Sequence, residues 1–237
     1  MLRPLQRSSL KELMDDPAAN LDDLRVNLED LKHINERWGG HRSTFLALSP
    51  AISKWPSGRL LKILDMGCGG GDLLVALARE CRARDIPAEL VGVDCSPAIL
   101  EIARGSIAGF PEIRLLRADA LEPPFPEKSF DFVLCSLVLH HVPPERSAQF
   151  LRGLGALCRS GVIVSDLRRG RLEYVVTFLF TRLFTRARMS RLDGPLSVLR
   201  ALTLDEARDL TCAAGWTEGV VRKCFPMRLL LMDRRFS

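Results

Sequence analysis

The period of the hydrophobic positions changes near residue 60. Upstream, Leu21, Leu24, Leu28, Leu31, Ile34 and Trp38 recur every three or four residues behind Asn20, a residue suited to cap a helix. The spacing predicts a helix over 20–38, stopped by Gly39-Gly40. A second helix is expected over about 41–48, ahead of Pro50 and the Pro56-Ser57-Gly58 turn. Nearer the N-terminus, Ser9 and Glu12 have the spacing of a capping box, which predicts a short helix ending at Asp15-Asp16-Pro17.

From Leu60 on, short apolar runs alternate with amphipathic stretches, the pattern of βαβ units whose parallel strands are buried on both faces. Strands are expected at 60–66 (LLKILDM), 89–94 (ELVGVD), 113–118 (IRLLRA), 130–136 (FDFVLCS) and 161–166 (GVIVSD). Helices fall between them at about 71–84, 97–107 and 144–158, with Ser96-Pro97 marking one start as cap plus first-turn proline. Thr203 and Glu206 form another capping box, for a helix ending at Gly215. The last two runs, 217–224 and 227–233, are separated by Phe225-Pro226, too short a link for a crossover, so they must pair antiparallel at a sheet edge. The expected class is α/β: a Rossmann-like, mostly parallel sheet with an antiparallel C-terminal hairpin and helices on both faces.

Composition narrows the reading without redirecting it. At 237 residues, 47% hydrophobic and 27% charged, the chain suits one large α/β domain with additions. The formal charge of +5 invites an anionic partner, but the excess is largely arginine between Arg168 and Arg191 and near the C-terminus. Nucleic acid is therefore not the expected partner. Seven scattered cysteines lack any C-x-x-C or structural zinc spacing, and several lie in apolar runs, which points to a reducing compartment. The stretch MLRPLQRSSLKELMDD has no signal-peptide core, and no run approaches the ~20 apolar residues that span a bilayer. A cytoplasmic location is expected, and no oligomeric state is read from the pattern.

The chemistry concentrates in LDMGCGGGD, residues 64–72, where a strand runs into a turn made mostly of glycine. Such a turn lets main-chain N–H groups and a helix N-terminus come close to a ligand. A dinucleotide would require G-x-G-x-x-G, but the third glycine position is Asp72, a poor neighbour for a pyrophosphate, and no Walker Gly-Lys-Ser/Thr follows. The stretch matches D-x-G-x-G-x-G instead, with Asp65, Gly67, Gly69 and Gly71 in order. It resembles motif I of class I S-adenosylmethionine-dependent methyltransferases, and the strand order and closing hairpin extend the resemblance over about residues 60–233. A ligand with a cationic ammonium, a sulfonium, a carboxylate and a ribose diol suits acids around a close backbone approach.

Carried over residue by residue, the resemblance implies that Asp65 and the glycines hold the amino-acid end of S-adenosylmethionine. Asp94, with Cys95 beside it, would take the ribose hydroxyls; Asp119 and Ala120 would meet the adenine; Cys135 and Ser136 would open onto the methionine moiety. The fourth strand continues as CSLVLHHV rather than the Asn/Asp-Pro-Pro-aromatic motif of amine and amide methyltransferases. It looks like the small-molecule branch that handles quinones, polyketides and other natural products. No cluster of carboxylates with an amide suggests catechol-type chemistry, so no metal is expected. A phenolic or enolic acceptor gains from a general base, and His140, then His141, are the candidates. Because neighbours on a strand or tight turn diverge, only one of them is expected to face the acceptor; as a plainer alternative, both pack the loop before Pro143-Pro144.

Residues 172–184, in an insertion spanning about 168–200, resemble the lid this fold builds over an acceptor, with Tyr174 and Phe178 as candidate contacts for an apolar small molecule. A core-packed helix stripe, or an amphipathic helix in transient contact with a membrane surface, would share that pattern. NLEDLKHINERWGGHR resembles the N-terminal part of a bacterial group of natural-product methyltransferases. On that reading residues 1–58 form a helical cover for the cofactor ahead of a domain over 59–237, with Trp38 near the acceptor and Arg42 on the methionine carboxylate. The alternatives are an RNA methyltransferase of the same fold and a non-enzymatic binding protein.

Overall fold

Helix α1 (Leu21–Arg37) starts where Asn20 accepts hydrogen bonds from the N–H groups of Asp22 and Asp23. Helix α2 spans Arg42–Ser53 and carries Pro50 inside it, running one turn beyond the expected stop. Its apolar face explains this: Leu48 and Ile52 are buried with the sheet, and that burial outweighs the helix bond Pro50 cannot make. These helices belong to a computed structural model that describes residues 5–234; the extreme ends of the expected division, 1–4 and 235–237, lie outside it.

Strands and helices then alternate: β1 (Leu61–Met66), α3 (Asp72–Ala83), β2 (Ala88–Asp94), α4 (Pro97–Ile107), β3 (Ile113–Arg117), β4 (Phe130–Ser136), α5 (Pro144–Leu157) and β5 (Cys158–Leu167). Two helices, α6 (Arg171–Phe184) and α7 (Arg188–Arg200), form the insertion, followed by α8 (Leu204–Ala213), β6 (Val220–Cys224) and β7 (Arg228–Arg234). The sheet has seven strands in the order β3-β2-β1-β4-β5-β7-β6. The first five run parallel, and β7 pairs antiparallel with both β5 and β6. The direction of the chain reverses its winding between β1 and β4, so the carboxyl ends of those strands flank a switch point where open α/β sheets bind ligands.

Alternate strand residues feed two cores. Leu64, Met66, Val133, Cys135, Val162 and Val164 face α5 and α8 with Phe150, Leu154 and Trp216. Leu61, Ile63, Phe132, Leu134 and Ile163 face α2 and α3 with Leu48, Leu74 and Leu77. The continuous apolar runs of the sequence are thus accounted for by burial on both faces. The Thr203–Glu206 capping box forms in full.

The insertion is tied to the N-terminal part by polar groups in unexpected places. Asp30, in the middle of α1, accepts from the N–H groups of Arg186 and Ala187 and from Ser190 Oγ, fixing the chain that leads into α7. Asp193 of α7 in turn accepts from the N–H groups of Leu13 and Met14. The segment before α1 therefore runs along α7 as a strap, containing only a 3-10 turn at Leu13–Asp15. The Ser9–Glu12 capping box does not form, because Glu12 is 3% exposed and points inward. No helix among the described residues is long and apolar enough to cross a membrane.

Candidate active site

The glycine turn is built from its own backbone. The N–H groups of Gly67 and Cys68 both donate to Val93 O, and that of Gly71 to Cys68 O. Gly67, Gly69 and Gly71 all have positive φ, and Gly71 is the cap from which α3 departs. Gly67 is needed for two reasons, since φ is +75° and a Cβ there would come within 2.2 Å of Val138 Cγ2. We expect Gly67→Ala to destabilise the protein by about 2 kcal/mol in urea denaturation, through strain and displacement of Val138. An unchanged midpoint would show that the turn rearranges freely.

Around the turn the acids occupy distinct environments. Asp94 accepts from Gly69 N–H (3.1 Å) through one oxygen and from Ser96 N–H (3.0 Å) through the other, which binds the second strand's end to the turn. Asp65 is buried at 2% exposure, and its Oδ1 has no hydrogen-bond partner. Burial first, and then the charges of Asp72 and Asp94, push its carboxyl up to about 8. Asp72, opening α3, meets His41 Nε2 at 3.0 Å and Asn35 Nδ2 at 2.8 Å. Its burial favours the neutral acid, but the hydrogen bond and charge of His41, with Asn35, outweigh this and lower its pKa. Asn35 reaches this position because Gly40 leaves room: a Cβ there would fall 2.1 Å from Asn35 Oδ1.

Asp119 and Cys95 are exposed at the ends of β3 and β2, and Ala120 is half-buried. Asp119 accepts from Leu121 N–H, fixing the loop beyond β3. Cys135 is 1% exposed and Ser136 half-buried at the end of β4. Cys68 is buried, and burial pushes its thiol up, out of the range of a reactive thiolate.

The cation at this end of the sheet is not the expected one. Arg42 is exposed on the first turn of α2. Arg228, the first residue of β7, is 4% exposed and lies over β5 and the end of β4. Its guanidinium donates to Asn35 Oδ1 (3.3 Å), Ser165 Oγ (3.4 Å) and Ser136 Oγ (3.5 Å), all long contacts. Among the described residues no carboxylate oxygen forms an ion pair with it, and burial lowers its pKa. The sequence signal was a cation opening the otherwise apolar run RLLLM, overlooked because it follows the hairpin turn.

The two histidines also behave differently from expectation, converging rather than diverging, with ring centroids 4.2 Å apart. Leu137 at φ +59° turns the chain after β4, and both rings then face Glu12 on the strap. His140 Nδ1 lies 2.6 Å from Asp166 Oδ1, and His140 N–H donates to Asp166 Oδ2. His141 Nδ1 lies 3.0 Å from Asp15 Oδ2. Burial alone would neutralise His140, yet Asp166 first and Glu12 second raise its pKa to about 10. The His140 proton is thus held tightly, which argues against the general-base role expected for this residue. Arg200 closes the cluster by donating to the carbonyls of Leu10 and His140. Glu12, Asp15 and Arg200 were not read as site residues, because nothing local marks them and they come from opposite ends of the chain.

The aromatic candidates fall outside this centre. Trp38 is 49% exposed and packs edge-on against Phe180 at 5.1 Å. Tyr174 stacks on Phe178, which Arg182 covers from 3.3 Å. Leu172, Val175, Leu179 and Leu183 of α6 are exposed along one stripe. A groove of about 400 Å³ between α1 and the α6–α7 link is lined by Trp38, Phe184, Arg186 and Asp30, and by none of the glycine-turn residues or Asp65, Asp72, Asp94 and Asp119.

This sheet order, a glycine turn after β1 and an acid ending β2 define a class I methyltransferase-type fold. Residues 63–161, somewhat under half of the chain, match the family model described as "Methyltransferase domain". Over 83 residues it is 36% identical to a demethylmenaquinone methyltransferase of Staphylococcus aureus, a match taking in 35% of this chain and only 33% of that relative's length. Its fold is similar to that of the CurJ carbon methyltransferase (TM-score 0.65, 14% identity, covering 95% of this chain and 66% of that one). It is also similar to human N-acetylserotonin methyltransferase, solved with S-adenosylmethionine (TM-score 0.60, 18% identity, 89% and 56%).

Proposed function

We propose that the protein transfers a methyl group from S-adenosylmethionine to a small, fairly apolar acceptor, at a phenolic or enolic oxygen of a quinone- or polyketide-like metabolite. The observation that carries the cofactor assignment is complementary charge left without a partner at the carboxyl ends of β1 and β4: a buried carboxyl with an orphaned oxygen at Asp65, and a buried guanidinium at Arg228 that has no ion pair among the described residues. An amino acid group supplies the opposite of each. The cofactor, when bound, supplies an electrophilic methyl group on a sulfonium. On this reading Asp65 and the glycines hold the ammonium side, Arg228 rather than Arg42 the carboxylate, Asp94 the ribose hydroxyls, and Asp119 with Ala120 the adenine edge.

For the acceptor, the support comes from the end of β4. Ser136 ends β4, which pairs with the strand that leads into the glycine turn, and the turn carrying the histidines follows it; on this reading a hydroxyl is positioned there, with the half-buried His141 as the group that takes its proton. The CSLVLHHV sequence and the demethylmenaquinone methyltransferase likeness favour a small acceptor over RNA.

The reading is tested by isothermal titration with S-adenosylmethionine and, separately, NADH, followed by a product-mass screen of phenols and quinones. Micromolar binding of the first alone is expected; NADH binding, or turnover that needs RNA, would overturn the reading. In the same assay Asp94→Ala should weaken S-adenosylmethionine by about 1–3 kcal/mol, the cost of unpaired ribose hydroxyls. Unchanged affinity would remove Asp94 from the site.

A further inference from the structure

We propose that Glu12, His140 and His141 form a binding site for one divalent first-row cation of the zinc or ferrous type. The sequence reading expected no metal because it found no cluster of carboxylates with an amide; the fold assembles a different ligand set from the strap and the turn after β4. Each histidine has its Nδ1 occupied by a carboxylate, Asp166 at 2.6 Å and Asp15 at 3.0 Å. That leaves both Nε2 atoms directed at one carboxylate, His140 Nε2 to Glu12 Oε1 at 3.5 Å and His141 Nε2 to Glu12 Oε2 at 3.8 Å. The three ligand atoms lie within 4.8 Å of one another. A tetrahedral ion with bonds of about 2.0–2.2 Å sets its ligands about 3.4 Å apart, so the spacing is too long for good hydrogen bonds but close to that of a metal shell.

Two further observations point the same way. Glu12 is 3% exposed, and its Oε1 has no hydrogen-bond partner. A carboxylate holding the far nitrogen of each imidazole is the outer arrangement that orients histidine ligands and raises their basicity. The charges agree as well: with the ion taking the place of the His140 proton and both imidazoles neutral, Glu12, Asp15 and Asp166 against Arg200, whose Nε lies 3.7 Å from Glu12, leave two negative charges for a dication to neutralise. Imidazole with one carboxylate suits zinc or iron better than calcium or magnesium. Because Glu12 stands on the strap and the histidines on the sheet, the ion would also fasten residues 8–16 to the domain. Three protein ligands leave a position open; an acceptor hydroxyl entering it would ionise with its proton passing to bulk water. That extension rests on the proposed function, whereas the cation site does not.

The test is titration of chelator-treated protein with Zn²⁺ by calorimetry, and with Co²⁺ read by its visible absorption. One equivalent should bind, Glu12→Gln and His141→Ala should each weaken it at least 100-fold, and Asp166→Asn by about 10- to 100-fold through the outer shell. Folding of each variant is checked by its thermal transition and S-adenosylmethionine titration, which also separates failure of this site from failure of the cofactor reading. His141→Ala, at a ring about a fifth exposed, guards against loss of fold in Glu12→Gln. Absence of saturable binding, or binding indifferent to both substitutions, overturns the proposal in favour of a proton-only contact between His140 and its carboxylates.

Discussion

Replacing Arg228 by methionine is expected to weaken S-adenosylhomocysteine by about 10- to 100-fold, the worth of hydrogen bonds to a charged group of about 1.5–3 kcal/mol. Binding of 5′-methylthioadenosine, which lacks the amino acid end, should be unchanged. The stability of the ligand-free protein should stay level or rise. The unusual sign follows from the environment: the guanidinium is 4% exposed, reaches only neutral oxygens at 3.3–3.5 Å and has no carboxylate ion pair among the described residues. Removing a buried charge that lacks its counter-ion relieves a desolvation cost, whereas removing half of a buried ion pair would add one. Calorimetry with the two ligands and urea unfolding of both proteins provide the check. Equal losses for both ligands would mean that Arg228 only supports the fold; a large drop in stability would mean that its hydroxyl and amide contacts outweigh its desolvation.

Asp65→Asn should likewise stabilise the ligand-free protein while impairing it. The Asp65 carboxyl is raised to about 8 by burial and by Asp72 and Asp94, so the folded state holds that proton more tightly than the unfolded state does. Stability contributed below about pH 4 is therefore lost as the pH rises to about 8. The gap in unfolding free energy between Asp65→Asn and the parent protein should widen by about 1 kcal/mol per pH unit between pH 5 and 8, and level off above. S-adenosylmethionine affinity should fall about tenfold in the variant, because the carboxylate facing the ammonium is gone. Parallel unfolding curves at pH 5, 6.5 and 8 decide the matter. A constant gap would place Asp65 among ordinary ionised carboxylates.

The two outcomes describe one property. Opposite charges are held apart from their natural partners at this end of the sheet, so on the proposed function the site is costly when the protein is alone and a zwitterionic amino acid group would relieve it.

Much of this was readable from sequence because it is local. The alternation of apolar runs, the glycine turn at 67–71, the caps at Asn20, Ser96 and Thr203, and an acid at the end of β2 depend on neighbours a few residues away. They determined the seven-stranded architecture, its antiparallel edge and the position of the cleft. Even the misjudged helix end at Pro50 was a local signal, overruled when Leu48 and Ile52 found the sheet.

What the tertiary structure alone decided is which distant groups meet. Glu12 reads as a helix cap until the strap along α7 buries it against a turn 128 positions away, and two histidines expected to diverge are brought together by the backbone turn at Leu137. Arg228 comes from the far end of the chain, and reaches Ser136 at the end of β4 only because β7 inserts between β5 and β6. Short-range pattern records the propensity and burial of each segment. Burial of a charged side chain among other charges depends on chain crossings, and no periodicity along the sequence encodes those.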